Sequence, residues 1–326
     1  MINLLKRMWL VFQNGMQKKQ ARQGMYIITV LVSLIFIGYA IQSHWTDLSR
    51  QEFKVDPVYL ILAVVLYPLG SLPTTAAWHW LLRAFGVRKS FRVNMHIYAQ
   101  SILPKHIPGL VWYVTSRTLL YQEKGVGAGV VLGATAAETF LMALSGFCLS
   151  ILFFTSQVTA LEQFTALRVI LPISAVAVII VAVWAPGGTR WLEKIFKRWQ
   201  KVGDKGMQID RKALWISLSW IFLAWIGGGI LLWMLVRAIT PLDWRLLPAI
   251  IGIWGAAGAV SLTLGIGVQG MGLREVTLGA MLSFIISPLM AVVVAVIFRL
   301  TLLMGDLLWV FFVVTLSSDK FVKIKK

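Results

Sequence analysis

An all-α, polytopic membrane bundle of about six to eight transmembrane helices, with two broken or re-entrant segments, is the fold this sequence predicts. Three observations predict it. Apolar residues make up 58% of the 326-residue chain and charged residues 13%, against about 25% charged in an ordinary soluble domain. The apolar residues lie in runs close to the ~20 residues that cross ~30 Å of hydrocarbon. Lys and Arg number 31 and Asp and Glu 13, a net charge of +18, and the basic excess collects in alternate loops, as cytoplasmic loops do. In a soluble chain that charge would point to nucleic acid. Set between apolar runs it does not, and no nucleic-acid partner is expected. Disorder is excluded by the hydrophobicity. The single Cys148 excludes a disulfide framework and a cysteine-type zinc site.

Residues 1–24 carry Lys6, Arg7, Lys18, Lys19 and Arg22 and no acid. No signal-peptide core with a cleavage site is present, so this segment reads as a cytoplasmic basic arm. The first span is 25–43. Residues 44–57 mix three acids with two bases and read as an outer loop. Pro57 sits where a helix can start, and 58–82 is the second span, interrupted by Pro68 and Pro73, each of which removes a backbone donor. Arg83, Arg88, Lys89 and Arg92 form an inner loop.

Residues 93–125 fit no clean span, because Pro104, Lys105, His106, Pro108 and Gly109 interrupt them. Irregular backbone at membrane depth needs protein or water to satisfy it, so the segment reads as re-entrant or interfacial. The third span, 126–154, has Glu138 near its middle, and the fourth is 167–185. Residues 186–212 hold eight Lys/Arg against Glu193, Asp204 and Asp210 and return the chain to the inner face. The fifth span is 213–236 and the sixth 247–264. A second broken segment, 265–275, reads GIGVQGMGLRE. Two further apolar elements, 276–298 and 301–316, are separated near Arg299. The membrane region is thus 25–318, and 319–326 form a cytoplasmic basic tail. An even number of crossings puts both termini inside.

Ionisable side chains at membrane depth are expensive, about 2.5–3.5 kcal/mol each on insertion scales. Glu138, Glu275, Arg299 and Asp306 therefore stand out. Glu138 can pair with an arginine, relay a proton or meet a polar headgroup; a purely structural ion pair is the alternative. Arg299 and Asp306, seven residues apart, share a helix face; Arg299 could equally snorkel to an interface. Around the Pro–Gly break, Lys105, His106 and Arg117 could serve a lipid phosphate through free N–H groups and bidentate arginine. The other reading is a connector whose bases meet anionic lipid nonspecifically.

The second break contains a literal GxGxxG at Gly265, Gly267 and Gly270. It lacks the preceding strand of a dinucleotide fold and is not read as one. Gly109, Gly267, Gly270 and Gly272 are read as the glycines of broken helices, with Arg274 and Glu275 at the start of the next. One interrupted segment in each half of a transporter points to a binding site between repeats. Catalytic motifs are lacking: there is no HExxH, no aspartate-rich cluster and no GxSxG, and the four histidines are scattered. No catalytic residue, metal site or cofactor is expected.

The run from Leu103 to Arg117, the Glu138 span, and GxGxxGxGLRE followed by Arg299 resemble the lysylphosphatidylglycerol synthase transmembrane-region family, the flippase-like domain proteins. The resemblance covers roughly residues 20–318. By position Arg117, Glu138, Gly267, Gly272, Glu275 and Arg299 match the family pattern. The first motif reads PGLVWYVTSR where many members carry a Gly-Glu pair before the Arg. The resemblance implies a multi-helix bundle with re-entrant elements and a lipid headgroup cavity; with the residues read beside the two breaks, the expected headgroup-binding set is Lys105, Arg117, Glu138, Arg274, Glu275 and Arg299. It implies a flippase-like transporter in a bacterial cytoplasmic membrane that moves an anionic or phosphate-linked lipid, such as a phospholipid or polyprenyl-phosphate sugar carrier. Without the aminoacyl-transferase domain of resistance factors, synthesis of lysyl-lipid is not expected. The alternatives are an intramembrane lipid-modifying enzyme and a scaffold for a glycosyltransferase or lipid-synthesis enzyme.

Overall fold

The computed structural model describes residues 55–106, 110–154, 173, 209–264 and 273–321. Among them are eight α-helices and no strand. They are α1 (Pro57–Ala84), α2 (Phe91–Ile102), α3 (Leu110–Gln122), α4 (Ala128–Leu149), α5 (Arg211–Ile239), α6 (Leu247–Leu264), α7 (Leu273–Leu282) and α8 (Pro288–Phe321). Five helical stretches are long and apolar enough to cross a membrane. The basic arm, the spans at 25–43 and 167–185, the loop to residue 208, and Gly109, Gly267, Gly270 and Gly272 lie outside the described residues.

Local chemistry sets the helix ends. Pro57 opens α1, and the Asp56 carboxylate accepts the Val58 N–H at 2.9 Å. Asp210 caps α5 by accepting from Ala213 N–H at 3.2 Å. Such caps satisfy N–H groups that a helix start leaves orphaned. Gly86 and Gly125 stop α1 and α3 with φ near +79° and +75°. A left-handed residue at that position lets the following N–H groups return to the last carbonyls.

Helices α1 and α5 run antiparallel along their whole length. Asp56 N–H donates to the Ala238 carbonyl at 2.7 Å, and at the far end Asp210 N–H donates to the Ala84 carbonyl at 3.1 Å. The bundle therefore has an Asp56 end and an Ala84 end. Close approach of α4 to α6 depends on Gly146 and Gly255, since a methyl group at either would meet the other's carbonyl oxygen at 2.6–2.7 Å. Outward on α1 stand Val58, Ile61, Val65 and Leu69, and on α8 Leu300, Met304, Leu307 and Phe311, all exposed. Apolar side chains facing outward at helical spacing suit lipid.

The segment 93–125 is re-entrant. Helices α2 and α3, with 12 and 13 residues, span only about 18–20 Å each at helical rise. The pair enters from the Ala84 end, where Asn94 meets His79 at 2.7 Å and the Tyr121 hydroxyl at 2.9 Å. Lys105, in the turn Leu103–His106, lies level with Tyr67, because both reach Asp306.

One boundary differs from the sequence reading. The elements 276–298 and 301–316 do not separate at Arg299. The break falls at 283–287, and Arg299 lies within the 34-residue α8. Pro288, preceded by Ser287 accepting from Met290 N–H at 3.4 Å, is the true helix start. Arg299 stays in the helix because Glu275 neutralises it. Helix α7, only ten residues long, pairs antiparallel with α8: Glu275 faces Arg299, and Gly279 faces Ala291. Helix α8 in turn runs antiparallel to α2, with Lys105 on Asp306 and Ala99 packed against Trp309. It follows that α7 starts deep in the bundle and ends towards the Asp56 end. The two interrupted elements thus approach the centre from opposite ends.

Candidate functional site

Between these elements lies a cavity of about 280 Å³ lined by residues of all eight helices and the turn after α2. Its polar wall includes Lys105, Glu138, Arg274, Glu275 and Arg299, five of the six residues expected to bind a headgroup. The hydroxyl-bearing residues Tyr67, Ser71, Thr74, Tyr98, Tyr113 and Ser261 also line it. Pro68 and Pro73 fall beside these hydroxyls on α1, where the missing N–H groups leave two carbonyls without their helical donors.

Three acids at membrane depth each have a basic partner. Arg117 meets Glu138 at 2.6 Å, Arg299 meets Glu275 at 2.5 Å, and Lys105 meets Asp306 at 2.7 Å. The pairing is what a low-dielectric interior requires, since an uncompensated buried charge costs several kcal/mol. Asp306, at 0% side-chain exposure, also accepts the Tyr67 hydroxyl at 2.9 Å.

Arg117 is the expected site residue that does not line the cavity. Its side chain is 0% exposed. The guanidinium carbon lies 4.1 Å from the Trp78 ring, 4.6 Å from Tyr98 and 4.2 Å from Tyr113, and Nε donates to the Ser101 hydroxyl at 3.3 Å. Aromatic faces attract a cation through their negative quadrupole. Arg117 therefore ties α1, α2, α3 and α4 together behind the wall, and only its partner Glu138 reaches the cavity.

Arg274 is different. Its guanidinium lies 4.0 Å from the centre of the Trp254 ring, and no carboxylate among the described residues lies within ion-pair distance. Its Nε is buried without a hydrogen-bond partner, as is Oε2 of the neighbouring Glu275. Trp254 is itself held between helices: it stacks edge-on to Phe298 at 4.8 Å and Trp225 at 5.7 Å, and it covers Gly228, where a methyl group would overlap the indole.

Sequence reasoning missed Tyr67, Tyr98, Tyr113 and Trp254, and it missed that Lys105 belongs to Asp306. Aromatic residues are plentiful here, and nothing in their local spacing marks the few that face a charge on another helix. Asp306 was visible as an acid in an apolar run; its partner, about 200 positions away, was not.

A multi-pass helical membrane protein, with a charged cavity between two interrupted elements, is the class that this fold and site define. The family model for the lysylphosphatidylglycerol synthase TM region matches residues 26–309, and the chain belongs to that family. No curated protein and no solved structure matches significantly.

Proposed function

We propose that this protein is a flippase-like transporter that moves an anionic or phosphate-linked lipid between leaflets. The observation that carries the reading is the cavity at membrane depth, walled by Lys105, Glu138, Arg274, Glu275 and Arg299 and reached by interrupted elements from both ends. Phosphate oxygens cannot enter hydrocarbon without partners, and charged groups facing a cavity inside a bundle mark a polar pathway. Helix breaks at the midplane are how transporters build such sites. In this reading Arg274 and Arg299 meet the phosphate, Glu275 and Glu138 orient the bases, and Arg117 is a positioning residue. No covalent step is assigned, and the substrate is a membrane lipid. A glycosyltransferase or lipid-synthesis enzyme is the partner class that would supply or use it.

Arg83, Arg88, Lys89, Arg92, Arg211 and Lys212 gather at the Ala84 end, whereas Asp56 and Asp243 offset Arg237 and Arg245 at the other. By the positive-inside rule the Ala84 end faces the cytoplasm of a bacterial inner membrane, with both termini on that side.

The test is translocation of a fluorescent anionic phospholipid in proteoliposomes, read by dithionite quenching of the outer leaflet. The reading predicts protein-dependent exchange with the lipid recovered chemically unchanged. Recovery of a modified lipid supports an enzyme instead, and the absence of exchange overturns transport.

A further inference from the structure

We infer that His79 is a proton-sensitive latch at the foot of the re-entrant hairpin α2–α3, and that acid at the Ala84 end releases it. The inference goes beyond the transport reading and does not depend on it. Its ground is a hydrogen-bond chain buried between α1, α2 and α3. Trp78 Nε1 donates to the Tyr121 hydroxyl at 2.8 Å, that hydroxyl donates to Asn94 Oδ1 at 2.9 Å, and Asn94 Nδ2 meets His79 Nδ1 at 2.7 Å. Trp78, Tyr121 and Asn94 are fully buried and His79 is 8% exposed. An indole N–H can only donate, so Trp78 sets the direction of every bond after it. The hydroxyl oxygen accepts, its proton goes to the amide oxygen, and the amide N–H is what faces the imidazole. His79 Nδ1 is therefore an acceptor, and the fold holds the neutral ring with its proton on Nε2.

Protonation makes Nδ1 a donor facing a donor. Turning the Asn94 amide over does not repair the chain, because its N–H then points at the Tyr121 oxygen and the hydroxyl proton loses its acceptor. A buried donor without a partner is costly, and a network broken at one bond is weakened along its length. The surroundings offer an imidazolium no compensation. On α1, Arg83 adds like charge, and the Trp80 ring lies near-perpendicular at 5.9 Å. From α2 come Asn94 and the Phe91 ring at 5.4 Å, and from α3 Tyr121 behind the amide. Among the described residues no carboxylate pairs with His79. The ring lies near the end of α1 beside the exposed Arg83 and Phe91, within reach of protons. Release there carries inward: the Trp78 ring lies 4.1 Å from the Arg117 guanidinium, which holds Glu138 in the cavity wall.

The experiment is hydrogen–deuterium exchange of the full-length chain in phosphatidylcholine nanodiscs, with rates corrected for the intrinsic pH dependence of exchange. It compares about pH 7.5 with about pH 5.5, either side of the ordinary histidine value of ~6.5. Stability that requires a neutral imidazole is complete above that value and is lost as pH falls below it. One proton over this interval gives about a tenfold rise in hairpin opening. Peptides of α2 and α3 should therefore lose about tenfold in protection on acidification, and those of α6 should not. His79→Gln supplies a carbonyl acceptor that does not titrate, and its protection should be the same at both pH values. Tyr121→Phe removes the hydroxyl that fixes the amide. It should weaken the hairpin at the higher pH and shrink the acid response, because Asn94 can then turn its oxygen to the imidazolium. Unchanged protection of α2 and α3 in the wild type overturns the inference, as does a full acid response in His79→Gln. An equal loss in α6 marks general acid unfolding and overturns it too. Lipid exchange is not read, so failure here leaves the transport reading standing.

Discussion

Arg117 is a buried arginine and Arg274 a half-buried one, both beside a helix break, and they differ in their partners. Arg117 has a carboxylate at 2.6 Å and three aromatic rings around it. Arg274 has one indole face and an unpartnered Nε. The first is held by the fold: its charge is matched by Glu138 and its faces are covered by this chain's own rings, although Nη2 is left without a hydrogen-bond partner. The second retains the capacity to bind something else. A charge within a membrane bundle is thus a sign of function only when its own protein has not already matched it.

Mutation of each arginine tests the contrast. The largest effect is expected at the first: Glu138→Ala leaves Arg117 buried and unmatched, costing about 3–5 kcal/mol of stability, visible as a lowered melting temperature in detergent. The double variant Arg117→Leu/Glu138→Leu should recover most of that loss, because no charge is stranded; equal instability of single and double variants would break the structural assignment. Next comes Lys105→Ala. Asp306 then loses its Lys105 cation and keeps the Tyr67 hydroxyl, and a loss of about 1–3 kcal/mol is expected. The loss is held below that of Glu138→Ala because the Lys105 side chain is 34% exposed and screened.

Gly228→Ala sharpens the comparison from the other side. Its methyl group would push Trp254 off α5 and with it the platform under Arg274. Packing strain of about 1–3 kcal/mol is expected, together with a fall in lipid exchange although no charge has changed. The smallest effect on stability belongs to Arg274→Gln, within about 0.5 kcal/mol of wild type, while lipid exchange is lost. A melting temperature that falls as far as it does for Glu138→Ala would show the two arginines to be equivalent.

How much of this was legible in the sequence follows from distance along the chain. The spans, the capping of α1 at Pro57 and the break in 93–125 were readable because apolar runs, prolines and glycines act on their immediate neighbours. Glu138 and Arg117 were visible as polar residues out of place, and pairing with an arginine was among the roles open to Glu138. That Arg117 would be sealed by Trp78 and Tyr98 was not readable, since those rings arrive from α1 and α2. The misplaced break at Arg299 has the same origin. A lone arginine in an apolar run looks like an end until its partner on α7 is known, whereas Ser287–Pro288 carried the real signal twelve residues earlier.

The hairpin of α2 and α3 has a further consequence for any charged traveller. Between His79 and Tyr67 it rises some twelve positions along α1, about 18 Å of depth at helical pitch. That is more than half of the ~30 Å thickness of a hydrocarbon slab, so a polar group entering from the Ala84 end would meet protein hydrogen-bonding partners over that depth instead of lipid tails.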